Sequence, residues 1–143
     1  MIVYVDADGC PVVDIALQLC KKHRVTCVLV CDTAHSFSNK DAEIITVDKG
    51  SDSADFAIAN HLSPGDIVIT QDYGLASMCL SRNAVVLHQD GWEYTTDNID
   101  ALLFQRHEAR KLRSSGGRMK GPRKRSSSQD QAFSIRLEKQ LKG

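Results

Sequence analysis

Aspartates in this chain fall where a parallel sheet would bring them together. Two apolar runs, residues 2–5 and 67–70, are each followed by acid: Asp6 and Asp8 after the first, Asp72 after the second. In an open α/β sheet, ligands bind beyond the carboxyl ends of the strands. Carboxylates gathered there repel one another unless a cation lies between them. Hard divalent ions such as Mg²⁺ and Mn²⁺ prefer oxygen ligands, so the spacing predicts a site for one or two of them.

A second pair of acids, Asp52 and Asp55, is three residues apart at the predicted start of a helix and therefore shares one face of it. With this pair, the predicted metal ligands are Asp6, Asp8, Asp52, Asp55 and Asp72. We expect Asp6, Asp8 and Asp72 to be catalytic, since such a site activates water and stabilises the leaving oxygen of a phosphodiester. A structural alternative stays open for the pair, because Asp52 could cap the helix and Asp55 could balance its dipole.

Charge is distributed very unevenly along a chain whose net charge is zero. Residues 1–105 carry six lysines and arginines against fifteen aspartates and glutamates, whereas residues 106–125 carry nine cations against Glu108 alone. An acidic body with a short basic segment suits a metal site that faces a polyanion. The residues predicted to bind nucleic-acid phosphates are Arg106, His107, Arg110, Arg113, Arg118, Lys120, Arg123, Lys124 and Arg125.

Glycines in this basic segment would let backbone amides approach phosphates, and such binding should weaken steeply with salt. The segment has no interleaved aromatic residues, so it does not predict base stacking or sequence-specific recognition. The alternative is a solvated tail that has no ligand.

Alternating apolar runs and helical stripes predict an α/β domain with a parallel sheet covered on both faces. Strands are expected at residues 1–5, 26–31, 43–47, 66–70 and 84–87, and the acidic strand ends should meet at one edge of this sheet of about five strands. Helices are expected from Pro11, after Asp52, over 75–80 and over 99–113, with a last helix opened by Ser128 and Asp130. Residues 1–105 would form the α/β core, and the basic segment and last helix (106–143) would pack on the same domain.

Composition excludes several classes of protein. No apolar run approaches the roughly 20 residues that span a bilayer, and the amino terminus leads directly into a strand pattern, without a signal peptide. Five cysteines without a C-x-x-C pair predict buried, reduced thiols and indicate neither a zinc knuckle nor a thioredoxin-like redox site. These features predict a cytoplasmic protein that does not bind membranes.

Three separated sequence motifs allow the chain to be compared with a known protein family. Residues 5–12 read V-D-A-D-G-C-P-V, residues 65–76 read G-D-I-V-I-T-Q-D-Y-G-L-A, and residues 116–122 read G-G-R-M-K-G-P, preceded by R-H at 106–107. Together they resemble the uncharacterised bacterial YaiI/YqxD family over nearly the whole chain. Position 9 is commonly alanine in that family, so Gly9 is a small departure.

The resemblance implies a PIN-like three-layer α/β/α fold, related to a broad group of metal-dependent ribonucleases. In that wider group an early strand-end aspartate, an acid at a mid-chain helix start and an aspartate after a T-x-D strand form the metal site. Asp6, Asp52 or Asp55, and Asp72 occupy those positions here. An Mg²⁺ or Mn²⁺ cofactor and an RNA substrate are therefore expected by analogy of fold and acid placement.

Two other functions remain open alongside a metal-dependent nuclease. The sequence D-x-D-G at residues 6–9 is similar to the element of haloacid-dehalogenase-type phosphatases, in which Asp6 would be the nucleophile and Asp8 the general acid/base. Cys10 and Pro11 replace the threonine expected there, however, and the chain is small for that fold. The other alternative is a non-catalytic protein with a degenerate acid site, whose basic segment docks on RNA or a ribosomal surface.

Overall fold

The computed structural model describes residues 1–32, 37, 42–48, 53–114 and 124–143. In these ranges the chain forms one six-stranded sheet with the strand order β3-β2-β1-β4-β5-β6. The strands are β1 (Ile2–Asp6), β2 (Thr26–Cys31), β3 (Glu43–Thr46), β4 (Ile67–Ile69), β5 (Val85–Leu87) and β6 (Glu93–Tyr94). The first five strands are parallel, and β6 pairs antiparallel with β5. The predicted α/β class is confirmed, although the sheet has one strand more than the expected five.

Strand connectivity reverses direction beside β1. From β1 the chain moves outward to β2 and β3, and it then crosses to the other side of β1 to form β4 and β5. The boundary between β1 and β4 is therefore the topological switch point, where open α/β sheets leave a crevice for ligands. Because the five strands are parallel, all their carboxyl ends lie at one edge, which we call the carboxyl edge.

Helices cover both faces of the sheet, so the domain has three layers. The helices are α1 (Val13–His23), α2 (Ser53–His61), α3 (Tyr73–Leu80), α4 (Ile99–Ser114) and α5 (Ser127–Lys142). Val3 and Val5 point to the face covered by α1 and α5, where Phe133 and Leu137 of α5 are fully buried. Tyr4 points to the opposite face, which α2, α3 and α4 cover. Side chains alternate along a strand, so the side chain of Asp6 points to the same face as that of Tyr4.

Two helix starts differ from the sequence prediction. Helix α1 begins at Val13 rather than Pro11, with Val12 as its N-cap and no side-chain cap. Helix α5 begins one residue before the expected Ser128, because Ser126 is its N-cap and forms a capping box with Gln129. The capping box satisfies the backbone N–H groups of Ser126 and Gln129. It therefore stabilises a helix that starts at Ser127, one residue earlier than expected.

The last helix and the β5–β6 turn approach each other very closely at Gly91. A Cβ atom at this position would lie 2.5 Å from the backbone carbon of Ala132 in α5, and Gly91 has a φ of +93°. Only glycine meets both conditions without strain. The turn at the carboxyl edge is thus fixed directly against the backbone of α5.

The five cysteines are all free, and four of them are buried. No helix in the described part of the chain combines the length and the apolarity needed to span a membrane.

Candidate functional site

Asp6 is the last residue of β1 and lies at the switch point of the sheet. Its carboxylate is partly buried on the face covered by α2 and α3, and it accepts a 2.9 Å hydrogen bond from the Thr70 hydroxyl (Oδ2 to Oγ1). Burial raises the pKa of Asp6, and the charges of Asp72 and Asp8 raise it further, while the Thr70 hydrogen bond opposes them. The ionised form of Asp6 is thus not fully compensated by positive charge from the described residues around it.

Thr70 and Asp72 follow β4, on the other side of the switch point from Asp6. The Thr70 hydroxyl oxygen accepts the Asp72 N–H at 2.9 Å. Asp72 is the N-cap of α3, and its Oδ1 accepts the N–H groups of Gly74 at 2.9 Å and Leu75 at 3.3 Å. Its side chain therefore has a structural role in addition to the charge that it presents to Asp6.

Asp8 does not continue the extended geometry of β1. The strand ends at Asp6, and the chain turns through Gly9, whose φ is +73°. The Asp8 carboxylate accepts the backbone N–H of Asp32 at 2.7 Å, which ties the first loop to the end of β2. The extended backbone of β1 therefore stops before Asp8, yet the charge of Asp8 still raises the pKa of Asp6.

Asp55 lies in the first turn of α2, on the same side of the sheet. Its relation to the site is visible at Cys79, a buried thiol of α3. Burial raises the pKa of Cys79 to about 12, and the negative charges of Asp55 and Asp6 both add to this increase. Asp55 of α2 and Asp6 of β1 therefore both raise the pKa of the same thiol, that of Cys79.

Four acids are therefore distributed around the carboxyl edge, but the described residues do not form a complete metal cage. Among them no three histidine, cysteine, aspartate or glutamate side chains are placed to hold a metal ion together. Asp52 lies outside the described residues. The donors present are all oxygens, which suits Mg²⁺ or Mn²⁺, and Mg²⁺ commonly binds through one or two carboxylates together with substrate phosphates and water.

An aromatic cluster lies beside Asp72, and nothing in the residue spacing predicts it. The Tyr94 hydroxyl donates to the backbone oxygen of Thr70 at 3.2 Å, and the Tyr94 ring meets Tyr73 edge to face. Trp92 stacks on His88 with ring centres 4.4 Å apart. The Asp90 N–H donates to His88 Nδ1, so His88 serves the β5–β6 turn as an uncharged acceptor. Burial lowers the pKa of His88; the charge of Asp90 opposes this decrease, and the charge of Arg125 adds to it.

Arg125, the last cation of the basic segment, is bound at the same edge. Its guanidinium donates from Nη1 to Asp90 Oδ1 at 2.8 Å, from Nη2 to the Gln89 carbonyl at 2.7 Å, and from Nε to Asp130 Oδ1 at 2.8 Å. We call these contacts the Arg125 clamp; they join the β5–β6 turn to the start of α5. Burial raises the pKa of the Cys10 thiol; the charge of Asp6 raises it further, and the charge of Arg125 lowers it.

The other predicted phosphate-binding residues are only partly described. His107 and Arg110 are exposed on α4, and Lys124 is exposed just before the Arg125 clamp. Arg118, Lys120 and Arg123 lie outside the described residues, as do the side chains of Arg106 and Arg113. Their role in binding phosphate stays a prediction.

Residues 4–143 match the family model described as "Uncharacterized BCR, YaiI/YqxD family". The chain is 49% identical over 133 residues to a UPF0178 protein of Exiguobacterium sibiricum, covering 93% of this chain and 91% of that protein. It is 47% identical over 133 residues to a UPF0178 protein of Natranaerobius thermophilus, covering 93% and 90%. A UPF0178 protein of Clostridium acetobutylicum is 45% identical over 135 residues, covering 93% and 91%. No solved structure gives a significant match.

Proposed function

This chain belongs to the YaiI/YqxD family, whose activity is uncharacterised, and we propose that it is an Mg²⁺- or Mn²⁺-dependent nuclease that cleaves RNA phosphodiesters. One observation carries the proposal. A partly buried carboxylate, Asp6, ends the central strand at the switch point of the sheet, and two further acids raise its pKa. A protein gains nothing in stability from this arrangement, so a cation-dependent function is its simplest explanation.

The residues present suit a hard divalent cation by their donor chemistry. Asp6 would be its principal ligand because burial raises its pKa and the charges of Asp72 and Asp8 raise it further. Asp72 would be a second ligand, since its carboxylate lies close enough to Asp6 to affect that pKa. Asp8, Asp55 and Asp52 would complete or position the ligand set. When bound, the ion would lower the pKa of a water molecule and stabilise charge on the phosphodiester oxygens.

The protein residues themselves would align and hold the substrate. The Thr70 hydroxyl holds Asp6 and the backbone of Asp72 at a constant separation, which pre-organises these two acids. The basic segment would bind the phosphate backbone next to them, since its last cation is fixed at the carboxyl edge by the Arg125 clamp. Juxtaposed acidic and basic surfaces suit a substrate that is a polyanion.

Calorimetric titration of Mn²⁺ into the wild type, Asp6→Asn/Asp72→Asn and Asp100→Asn tests the metal site. Asp100 is an exposed acid in the first turn of α4, so its variant controls for charge alone. We expect binding by the wild type and the control and a loss of at least about tenfold in affinity for the double variant. Cleavage of a mixed pool of single-stranded RNA in Mn²⁺ should follow the same order. Cleavage unaffected by the double substitution would refute the proposal.

A non-catalytic RNA-binding protein is the second candidate, and one specific observation favours it. Asp8 and Asp72 both bind backbone N–H groups, which is how strand-end acids behave when they only close turns and helices. RNA binding that depends on salt, with no cleavage in either metal, would select this candidate. Formation of an acid-labile phospho-enzyme on Asp6 would instead select the phosphatase alternative.

A further inference from the structure

The aromatic cluster beside Asp72 has two buried members and two that reach the surface. His88 and Tyr94 are 9% and 0% exposed, and both take part in hydrogen bonds inside the protein. Trp92 and Tyr73 are partly exposed, although each packs on Tyr94, with ring centres 4.6 and 5.9 Å away. Packing in the core therefore accounts for the two inner rings, whereas the two outer rings present part of their aromatic surface to solvent.

Trp92 is held in one orientation by its neighbours. Its ring lies almost parallel to that of His88, with an angle of 11° between the planes, and Tyr94 meets it at 60°. The preceding residue, Gly91, is packed against the backbone of α5. A rigid and partly exposed indole offers a large contact area at a small cost in conformational entropy, which is why tryptophan and tyrosine are common at binding surfaces.

The aromatic cluster connects the acidic and the basic parts of the carboxyl edge. On one side, Tyr73 directly follows Asp72 in the chain. On the other side, the Gln89 carbonyl in the turn before Trp92 accepts a hydrogen bond from Nη2 of Arg125 at 2.7 Å. A ligand on the two exposed rings would therefore have a carboxylate at one end and a fixed cation at the other. A nucleotide of single-stranded RNA suits this surface, since its base is flat and its phosphate is negatively charged.

We propose that Trp92 and Tyr73 form a stacking subsite for an unpaired base of single-stranded RNA. The inference rests on the proposed function for its ligand, and it adds a preference for single strands over duplexes. A base inside a duplex is stacked between its neighbours and cannot lie on an indole ring, whereas every unpaired base offers a flat face. The subsite therefore selects unpaired strands without selecting a sequence, and it brings the flanking phosphates to the carboxyl edge.

Binding of labelled RNA to the full-length protein, measured by fluorescence anisotropy without divalent ions, tests the subsite. The three probes are a short single strand of mixed sequence, an abasic strand of the same length that keeps every phosphate, and a duplex of the first strand. We expect the wild type to bind the abasic strand at least about fivefold more weakly than the intact strand, the order of one stacked base. This comparison needs no variant, so it does not depend on the folding of one.

Two variants of Trp92 separate stacking from phosphate binding. Trp92→Ala should bind the intact strand at least about fivefold more weakly than the wild type. It should bind the abasic strand and the duplex as the wild type does, since these probes are held through their phosphates. Trp92→Phe keeps an aromatic ring and should retain most of the affinity for the intact strand. Tyr73→Ala should act in the same direction as Trp92→Ala.

The inference is overturned if the wild type binds the abasic and intact strands equally tightly, or if Trp92→Ala keeps the wild-type difference between them. Adding Mn²⁺ to the same samples separates this inference from the proposed nuclease activity. A difference between the two strands without any cleavage supports the subsite and contradicts the nuclease. Cleavage without that difference contradicts the subsite alone.

Discussion

Thr70 donates a hydrogen bond to Asp6 at 2.9 Å and so connects the ends of β4 and β1 across the switch point. The same oxygen accepts the Asp72 N–H, so one hydroxyl group fixes two acids of the candidate site. Because its only proton points to Asp6, the hydroxyl stabilises the ionised carboxylate and opposes the effect of burial on its pKa.

Replacing Thr70 with valine should therefore raise the pKa of Asp6 further, because the hydrogen bond to the carboxylate is lost while the shape of the side chain is kept. Thr70→Ser retains the hydroxyl and should keep the pKa near that of the wild type. Carboxyl-carbon NMR titration of Asp6 measures both. An Asp6 pKa that is equal in Thr70→Val and wild type would contradict the proposed role of the hydroxyl.

Replacing Asp6 with asparagine should stabilise the metal-free protein at neutral pH. Its pKa is raised in the folded state, so the unfolded chain releases its proton at lower pH. Ionisation of Asp6 therefore costs stability as pH rises from the unfolded pKa to the folded pKa, and the full cost persists above that range. The asparagine variant avoids this cost.

Thermal unfolding across a pH series measures the effect. The melting temperatures of wild type and Asp6→Asn should differ at neutral pH and converge in acid, and Asp100→Asn should follow the wild type. We also expect Mn²⁺ to stabilise the wild type but not Asp6→Asn. A variant less stable than wild type at neutral pH would show that Asp6 is a structural residue.

Asp90→Asn should weaken RNA binding, although it removes a negative charge from the protein. Asp90 holds the Nη1 of Arg125 at 2.8 Å, and this contact positions the end of the basic segment. We expect a loss of at least about fivefold in affinity, the order of one charge-assisted hydrogen bond. Fluorescence anisotropy with a labelled single-stranded RNA, repeated over a salt series, measures it.

Asp100→Asn makes the same charge change away from the clamp and should bind RNA at least as tightly as wild type. If Asp90→Asn also binds more tightly, Arg125 contacts phosphate directly once it is released, and its role in positioning the segment is wrong.

Gly91→Ala should destabilise the protein much more than Gly65→Ala. Both glycines have positive φ angles, +93° and +86°, but a Cβ at Gly65 meets nothing within 4 Å, whereas one at Gly91 meets the backbone of α5. We expect a cost of about 1 kcal/mol at Gly65, from backbone strain alone. At Gly91, displacement of α5 should add about 1–3 kcal/mol. Urea unfolding measures both, and equal costs would mean that α5 adjusts freely.

Most of the sheet could be predicted from the sequence because its central strands, β1, β2 and β4, are almost entirely buried. Continuous apolar runs such as 26–31 have no competing helical period, and the observed β2 has those same bounds. Strand β6 was missed because two residues, Glu93 and Tyr94, are too short to show a period. Its pairing depends on the turn at Gly91 and on contacts with α5, which local sequence does not report.

The candidate site was predictable to the extent that it follows from strand ends. Asp6 and Asp72 lie at one edge because parallel strands align their carboxyl ends. The turn at Asp8 depends on the backbone of Asp32, and the Arg125 clamp depends on Gln89 and Asp90, about a quarter of the chain away. Such long-range partners leave no signal in residue spacing.

The stacking of Trp92 on His88 gives this protein a built-in optical probe. Trp92 is the only tryptophan in the sequence, so all indole fluorescence comes from one turn at the carboxyl edge. The emission should respond to protonation of the imidazole beneath it and to any ligand that displaces the Arg125 clamp. Ligand binding near this turn can therefore be followed by the intrinsic fluorescence of Trp92 in the unlabelled wild-type protein.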